Sequence, residues 1–242
     1  MVSKSNITLG VIIPMYNEEK VSSKTVDEVL NILKNIKVSS RLIVIDDGSS
    51  DKTPNILRQK IKKYPKNLVV LTHKKNAGYG EATKTGIKYA LDNNIEWCLH
   101  MDSDLTNPPR YIIKFVEKIS KSVDCIKASR YINGSKVKNV PLFRKAISFV
   151  GNFFAMFFFR VGIHDCTNGF RMVRTGMLKG IKFKENNFSI ILEELYYLKK
   201  RDARFLEIPN VLYARTNTTS HFKYKPKIFY DYFKYAFKAA FT

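Results

Sequence analysis

The sequence predicts an α/β fold in which a mainly parallel sheet is flanked by helices, and two observations support this. The chain has 242 residues, of which 45% are hydrophobic, so it can bury a sizeable core. Short apolar runs rich in β-branched residues alternate with helix-like segments over about the first 128 residues, as in sheets whose strands are joined by crossover helices. The runs are LGVII (9–13), LIVID (42–46), LVVLT (68–72), WCLHM (97–101) and DCIKA (124–128).

The connecting segments carry helix signals in the expected places. Val26, Val29, Leu30 and Leu33 recur at helical spacing between the first two runs. A second helix is predicted after SSDKTP (49–54), where Ser and Asp can cap free backbone N–H groups. Beyond residue 128 the pattern predicts a basic loop (131–139), a Phe-rich helix (146–160), a turn at DCTNGFR (165–171), a helix with Glu193 and Glu194, and a Lys-rich aromatic tail (222–242).

The charge balance predicts an anionic partner. Lys and Arg number 42 against 21 Asp and Glu, a net charge of +21. Nucleic acid, anionic lipid and a phosphorylated substrate all fit that charge. The cysteines, Cys98, Cys125 and Cys166, are widely spaced, which argues against a disulfide framework or zinc site and predicts core positions in a reducing compartment.

Polar residues directly follow three of the apolar runs. PMYNEE (14–19), DDGSSDKT (46–53) and DSDLTNPP (102–109) stand where ligands collect in open α/β sheets, at the carboxyl ends of strands. After Asp46 and Asp47, a Gly-Ser pair suits a tight turn whose amides can face a ligand. A helix cap without further function is the alternative for this motif.

Asp102 and Asp104 predict a metal site. Alternate residues of a strand face the same way, so two carboxylates placed there repel each other unless a cation or a proton intervenes. Mg²⁺ or Mn²⁺ suits hard oxygen ligands and completes its shell with water and substrate phosphates. A solvated Asp-Ser-Asp turn is the alternative, but the polar clusters after two other runs favour the metal.

Seven motifs together resemble family 2 glycosyltransferases of the GT-A fold (Rossmann-like nucleotide-diphospho-sugar transferases), and within them the polyprenyl-phosphate (dolichol-phosphate) mannose synthases. The resemblance implies a GT-A domain over residues 1–221, with 146–160 as an amphipathic interface helix, and a membrane-interface tail over 222–242. The motifs, in the order of the family, are VIIPMYNEE, VIDDGSSDKT, NAGYGEATKTG, MDSDLTNPP, SRYINGSKVKNVPLFRK, DCTNGFRMVR and EIPNVLYAR.

The resemblance implies a nucleotide-sugar donor, with GDP-mannose expected first, and a divalent metal. Thr106 stands where many members carry a glutamine, so the third metal ligand is expected to be a hydroxyl beside Asp102 and Asp104. The implied donor-binding residues are Pro14, Tyr16, Glu18, Asp46, Asp47, Asp102 and Ser103.

The implied acceptor is a polyprenyl or dolichyl monophosphate that takes the sugar with inversion. Such a phosphate is already an anion, so no general base is needed, but cations must hold it near the donor. Arginine suits this task because its planar fork binds phosphate through two hydrogen bonds. Asp104, Arg130 and Arg144 are the expected catalytic residues. Arg130, Arg144, Arg215 and His221 are the expected lipid-phosphate ligands, with His221 where the family usually has lysine.

Two other functions remain open at this point. A sugar or protein hydroxyl as acceptor, with a UDP-sugar as another donor, would need Glu193 or Glu194 as general base. Glu193 matches a family glutamate, and ordering a loop or pairing with Arg or Lys is its other reading; Arg171 is expected to be structural. A nucleic-acid-binding module rests on charge alone, because the basic residues are scattered and no known motif is present.

The aromatic segments predict attachment to a membrane surface, on the cytoplasmic face and without a transmembrane segment. The longest uncharged stretch, 146–159, is shorter than the roughly 20 residues that a spanning helix needs. A small membrane-protein partner is a further expectation, and packing of both helices as core is the alternative. Phe149, Phe153, Phe154, Phe157 and Phe158 form one stripe opposite Ser148, Asn152 and Ala155, and in the tail Phe229, Phe233, Phe237 and Phe241 repeat apart from Lys227, Lys234 and Lys238.

Overall fold

The computed structural model describes residues 7–214 and 226–241, with side chains in the last helix from residue 230 onward. The strands are β1 (Thr8–Met15), β2 (Ser39–Asp46), β3 (Leu68–Thr72), β4 (Trp97–His100), β5 (Cys125–Ser129), β6 (Lys136–Lys138), β7 (Arg171–Arg174), β8 (Phe205–Pro209) and β9 (Val211–Tyr213). The helices are α1 (Ser22–Lys34), α2 (Thr53–Lys63), α3 (Tyr79–Asp92), α4 (Tyr111–Glu117), α5 (Leu142–Phe159), α6 (Ile190–Lys200) and α7 (Pro226–Ala240).

Seven strands form one sheet in the order β3-β2-β1-β4-β7-β5-β8, in which β7 runs antiparallel to β4 and β5 and the other pairs are parallel. Strands β6 and β9 pair in a separate small sheet. The predicted fold class and the five predicted strands are confirmed. Because β2, β1 and β4 are parallel neighbours, the loops that follow them meet at one edge.

The buried core accounts for the helical spacing of the apolar residues in α1. The four apolar residues that predicted α1 are buried against the sheet, and α2 begins at Thr53 with a proline in its first turn, as the SSDKTP signal indicates. The three cysteines are free and buried, which confirms their core placement.

Strand β4 ends earlier than the sequence indicates. The N–H of Met101 still donates to Ile12 O at 3.1 Å, but Asp102 and Asp104 lie beyond the strand in a loop where Leu105 has a φ of +58°. The prediction that both acids stand on the strand is therefore wrong. The physical reason is local, because the backbone N–H and the hydroxyl of Thr106 both bind the Asp104 carboxylate and close a turn that a strand could not contain.

Helix α5 begins four residues before the predicted start at 146. Pro141 precedes its first turn, and the helix ends at Arg160, which has left-handed backbone geometry (φ +50°). Over the described residues, α5 is the one helix long and apolar enough to cross a bilayer, by length and composition alone, and 17% of it is buried.

Helices α5, α6 and α7 share a hydrophobic cluster. The buried face of α5 consists of Asn152, Ala155 and Phe159, and α7 contributes Tyr235 and Ala236. Four of the five predicted stripe residues of α5, Phe149, Phe153, Phe154 and Phe157, are exposed, as are Phe233, Phe237 and Phe241 of the tail, whereas Phe158 is partly buried and packs against the cluster. The side chain of Phe229 lies outside the described residues. The exposed phenylalanines are therefore not core residues, although the opposite faces of both helices are packed on the protein.

Candidate active site

The loops after β1 and β2 are bonded to each other. Asn17, with a φ of +52°, accepts the N–H of Ser50 on its side-chain oxygen at 2.8 Å, and its own N–H donates to Ser49 Oγ at 2.9 Å. The N–H of Glu18 donates to Thr53 Oγ1 at 2.9 Å. These bonds make the edge rigid. Sequence reasoning missed Asn17, although Asn tolerates left-handed backbone better than most residues and was a usable signal.

Buried acids connect this edge to the loop after β4. Ser103 Oγ donates to Glu18 Oε1 at 3.0 Å, and the N–H of Ser49 donates to Asp46 Oδ1 at 3.1 Å. Glu18, Asp46 and Ser103 are buried, whereas Pro14 and Tyr16 are partly buried at the end of β1. Six of the seven predicted donor-binding residues therefore lie at the edge formed by β2, β1 and β4, because Asp102 directly precedes Ser103 in the loop after β4.

The Asp47 carboxylate binds the loop before α3 and not the groups at the edge formed by β2, β1 and β4. Its Oδ1 accepts the N–H of Ala77 at 3.0 Å and lies 2.6 Å from His73 Nδ1, and its Oδ2 accepts the N–H of Gly78 at 2.8 Å. Both oxygens thus hold the loop that leads into α3. At Gly48 (φ +69°) a Cβ would lie 2.4 Å from the backbone carbon of Lys75, so this turn requires glycine.

The predicted metal ligands share one loop. Asp102 and Asp104 are partly buried, and Asp104 Oδ1 accepts from the N–H of Thr106 at 3.0 Å and from its hydroxyl at 2.8 Å. Thr106 therefore holds Asp104 in place, and its oxygen keeps lone pairs for a cation. Over the described residues no group of three or more His, Cys, Asp or Glu could hold a metal. Two carboxylates in one loop fit Mg²⁺ or Mn²⁺, which takes its other ligands from water and substrate phosphates.

A chain of backbone contacts joins this acidic loop to α5. The N–H of Tyr213 in β9 donates to Thr106 O, and the N–H of Ala214 donates to Lys138 O at the end of β6, both at 3.0 Å. Strand β6 then leads into α5, whose first turn carries Arg144. The Arg144 side chain is exposed, and no carboxylate in the described ranges pairs with it.

Arg130 is engaged in a largely buried ion pair. Its Nε and Nη2 donate to the two oxygens of Asp165 at 2.7 and 2.8 Å, and its Nη1 donates to Ser148 Oγ of α5 at 2.9 Å. The side chain is 13% exposed. Burial alone would raise the pKa of Asp165, but the Arg130 guanidinium outweighs it and holds that pKa below its usual range.

Sequence reasoning missed Asp165, although it opens the DCTNGFR motif. Arg215 and His221, the other predicted lipid-phosphate ligands, lie outside the described residues.

The two candidate bases are both buried and bound by the protein. Glu193 accepts the backbone N–H groups of Lys184 and Glu185 at 2.8 and 2.9 Å, and so orders their loop. Glu194 forms a two-bond ion pair with Arg171 at 2.5 and 2.9 Å. Burial would raise the pKa of Glu194, and the Arg171 charge lowers it below the usual range. The loop-ordering reading of Glu193 and the structural reading of Arg171 are confirmed.

Comparison with known families gives a match over most of the chain. Residues 10–181 match the model for glycosyl transferase family 2. The chain belongs to this family.

Three curated relatives of this family 2 chain are named for lipid-phosphate substrates. It is 30% identical over 95% of its length to the dolichol-phosphate mannosyltransferase of Pyrococcus furiosus, and 30% over 71% to the polyprenol monophosphomannose synthase of Mycolicibacterium smegmatis. It spans 63% of the length of each. It is also 29% identical over 82% of its length to the UDP-N-acetylglucosamine–dolichyl-phosphate N-acetylglucosaminyltransferase of Methanococcus voltae, of which it covers 83%.

Crystal structures show the same fold at lower identity. Glucosyl-3-phosphoglycerate synthase of Mycobacterium tuberculosis, in complex with Mg²⁺ and UDP, aligns with a TM-score of 0.68 at 16% identity over 89% of this chain and 74% of that one. Mannosyl-3-phosphoglycerate synthase of Rubrobacter xylanophilus aligns with a TM-score of 0.68 at 15% identity over 95% and 72%. The family 2 chain therefore has the GT-A fold that the motifs predicted.

Proposed function

We propose that this glycosyltransferase moves mannose from GDP-mannose to a polyprenyl or dolichyl monophosphate, with inversion. The observation that carries the proposal is the position of Arg144. This exposed cation stands in the first turn of a helix with an exposed aromatic face, and β6 and β9 join that turn to the acidic loop. A phosphate held there has the donor on one side and an apolar surface on the other.

The donor would bind at the rigid edge. Pro14, Tyr16, Glu18 and Asp46 would hold the base and ribose, and Ser103 supports Glu18. Mg²⁺ or Mn²⁺ on Asp102 and Asp104 would neutralise the charge of the leaving diphosphate. The M. tuberculosis neighbour was crystallised with Mg²⁺ and UDP, which is consistent with a metal in this fold.

The acceptor phosphate would bind to arginines. Arg144 is available for a two-bond contact, and Arg215 and His221 are proposed to complete the site. Arg130 uses one of its two Nη1 hydrogens on Ser148, and the remaining Nη1 hydrogen is directed to the phosphate in this proposal. Its hydrogen bond to Ser148 also ties α5 to the loop after β5.

The geometry disfavours a hydroxyl acceptor. Such an acceptor needs a general base within hydrogen-bond reach of its proton. Glu193 is occupied by two backbone N–H groups and Glu194 by Arg171. A phosphate acceptor needs neither.

The exposed aromatic face is proposed to lie on the cytoplasmic surface of a membrane, with α5 in the interface plane. Leu142 at 81% and Phe237 at 62% exposure are unusual for a surface that meets only water. The opposite face of α5 is packed on the protein, where Asn152, Ala155 and Phe159 are buried. The cations that flank this face are Arg144, Lys145, Arg160 and Lys238, which match anionic headgroups.

The experiment that tests the proposal is transfer from a panel of GDP- and UDP-sugars to a polyprenyl phosphate, with the same polyprenol lacking phosphate as the control acceptor. We expect one donor to give a sugar–lipid phosphate product that requires Mg²⁺ or Mn²⁺. Product on the polyprenol would favour the hydroxyl mechanism. Protection against heat by oligonucleotides, without protection by any nucleotide sugar, would favour a nucleic-acid-binding module.

A further inference from the structure

Tyr79 is held rigidly beside the acidic loop. It is the first residue of α3, between two glycines that approach another backbone closely. A Cβ at Gly78 would lie 2.2 Å from Asn186 O, and the N–H of Gly80 donates to that same oxygen at 3.0 Å. The ring of Phe188 stacks on the Tyr79 ring with centroids 4.4 Å apart and planes at 17°. The direction of the phenol is therefore fixed.

The phenol oxygen and Asp102 face a common space. A Cβ at Gly169 would lie 3.4 Å from Tyr79 Oη and 3.9 Å from Asp102 Oδ1, so a side chain there would contact both groups, and glycine leaves the gap beside them unfilled. The same point is 3.4 Å from Ile191 Cδ1, which gives the space one apolar wall. A carboxylate, a hydroxyl and an apolar carbon thus surround it.

The phenol is a hydrogen-bond donor at every physiological pH. Burial, and then the negative charge of Asp102, raise the pKa of Tyr79 above its usual range. The Arg171 guanidinium, which is fixed by Glu194, only partly offsets this rise in the pKa. A neutral phenol carries one O–H proton, which it can donate.

We propose that Tyr79 binds the transferred sugar of the donor, donating its O–H to one sugar hydroxyl in the space beside Asp102 and Gly169. This inference rests on the proposed function, which it deepens. A neutral O–H next to an apolar wall suits a neutral hydroxyl, whereas the diphosphate is expected at the charged side of the acidic loop. A site built to bind one hydroxyl also discriminates against a sugar that lacks it.

The test is Tyr79→Phe, which keeps the stacked ring and removes only the oxygen. Affinities of the full chain for the nucleotide sugar and for its nucleoside diphosphate are measured by calorimetry. Transfer is measured with donors that each lack one sugar hydroxyl. We expect kcat/KM for the intact donor to fall by about tenfold, the value of one hydrogen bond, and diphosphate affinity to stay unchanged. With the unmodified chain, one deoxy donor should react more slowly than the intact donor. With Tyr79→Phe the two donors should react at similar rates, because the hydroxyl that the deoxy donor lacks no longer has a partner.

Two further variants complete the design. Tyr89→Phe, which removes a hydroxyl bonded to Arg41 on the surface, is the matched control and should change nothing. Gly169→Ala places a methyl group in the proposed space and should weaken nucleotide-sugar binding without weakening diphosphate binding. Equal losses for both ligands in Tyr79→Phe would mean that the hydroxyl serves the diphosphate or supports Asp102, and would overturn the inference. Unchanged selectivity among the deoxy donors would overturn it as well. Absence of nucleotide-sugar binding by the unmodified chain would instead overturn the proposed function.

Discussion

Two regions of the molecule are built in opposite ways. One is the donor edge, formed by the loops after β1, β2 and β4, and the other is the aromatic face, formed by the exposed phenylalanines of α5 and α7. At the donor edge, buried acids are bound to neighbouring groups, as Glu18 is to Ser103 and Asp46 is to the N–H of Ser49. On the aromatic face, Phe157 and Phe237 are more than half exposed. The edge is ordered without a ligand, whereas the face leaves apolar side chains exposed.

This difference corresponds to the two proposed substrates. A charged, water-soluble donor is best met by preorganised polar groups, because these need no rearrangement when charge develops. A lipid phosphate brings most of its surface in an apolar chain that stays in the bilayer. The protein then needs only cations at headgroup level and an apolar surface beside them. Substitutions at the edge should therefore change chemistry, and substitutions on the face should change location.

The largest effect is expected for Asp104→Asn. The variant keeps an acceptor for the N–H of Thr106, so the loop should fold, but it loses the negative charge proposed to hold the metal. Metal stabilisation of a leaving group provides several kcal/mol, so the transfer rate should fall by about a thousandfold or more. Rates are compared with circular dichroism and thermal unfolding of the same sample.

The matched control for this change is Asp92→Asn, in an exposed ion pair at the end of α3. It should leave transfer and stability as they are. Near-normal turnover by folded Asp104→Asn protein would contradict the assignment of Asp104 to the metal.

The next effect is on stability, for Arg130→Ala. Removing this cation leaves Asp165 buried without its partner, and such losses amount to about 3–5 kcal/mol of the free energy of unfolding. Urea unfolding at pH 7 measures the change.

The pH dependence of that loss follows from the pKa of Asp165. In the unmodified chain this pKa lies below its unfolded value, so the pair stabilises the protein above about pH 4 and the stability is lost as the pH falls further. In Arg130→Ala, burial without the cation raises the pKa instead, so acidification relieves part of the defect. The gap between the two proteins should therefore shrink as the pH falls from 7 toward 4, and a constant gap would contradict the ion-pair account.

A third effect is expected for Arg144→Ala, and it distinguishes the role of Arg144 from that of Arg130. The side chain is exposed, so stability should not change. Loss of one positioned charge donor costs about 2–4 kcal/mol of transition-state stabilisation, and transfer should slow accordingly. Arg58→Ala on α2 is the control. Unchanged transfer with polyprenyl phosphate would remove Arg144 from the acceptor site.

Sequence alone gave the strands and the shared edge, because apolar runs that end in polar residues are a local signal. Asp102 and Asp104 were found by their motif, but their position off the strand depends on a turn with Thr106 that strand alternation does not predict. The predicted start of α5 is four residues too late, because the prediction rests on the uncharged stretch 146–159 and the first turn of the helix contains Arg144 and Lys145.

The unpredicted parts of the site depend on contacts between residues far apart in the chain. Asp165 meets Arg130 across 35 residues, and Asn17 meets Ser50 across 33. Neither pairing leaves a periodicity or a spacing that a single sequence would reveal. Both pairings depend on the sheet order, because it brings the two loops of each pair together.

On the aromatic face, Phe157→Ser and Phe237→Ser should weaken binding to anionic vesicles. Each side chain is about half exposed, so each contributes about half of the 1.5–3 kcal/mol of a fully transferred Phe, and vesicle affinity should fall by about fourfold to twelvefold. Co-sedimentation measures this, and transfer to a short, water-soluble polyprenyl phosphate should be unaffected. Ile113→Ser on α4 is the control for an exposed apolar residue elsewhere. Equal vesicle binding by all these proteins would mean that this face does not meet the bilayer.

The smallest effect is expected for Glu193→Gln. The transfer rate of this variant distinguishes a phosphate acceptor from a hydroxyl acceptor. A glutamine keeps one acceptor for the N–H groups of Lys184 and Glu185 and loses the other, which should cost about 1 kcal/mol of stability. If the acceptor is a phosphate, the rate should stay within about threefold, because no proton has to be removed. Loss of a general base would instead slow transfer by about a hundredfold to ten-thousandfold. Steady-state rates on the folded protein distinguish these outcomes, and a hundredfold loss would show that the acceptor is a hydroxyl activated by Glu193. Glu194→Gln is less informative, because it unpairs the buried Arg171 and so lowers stability along with any change in rate.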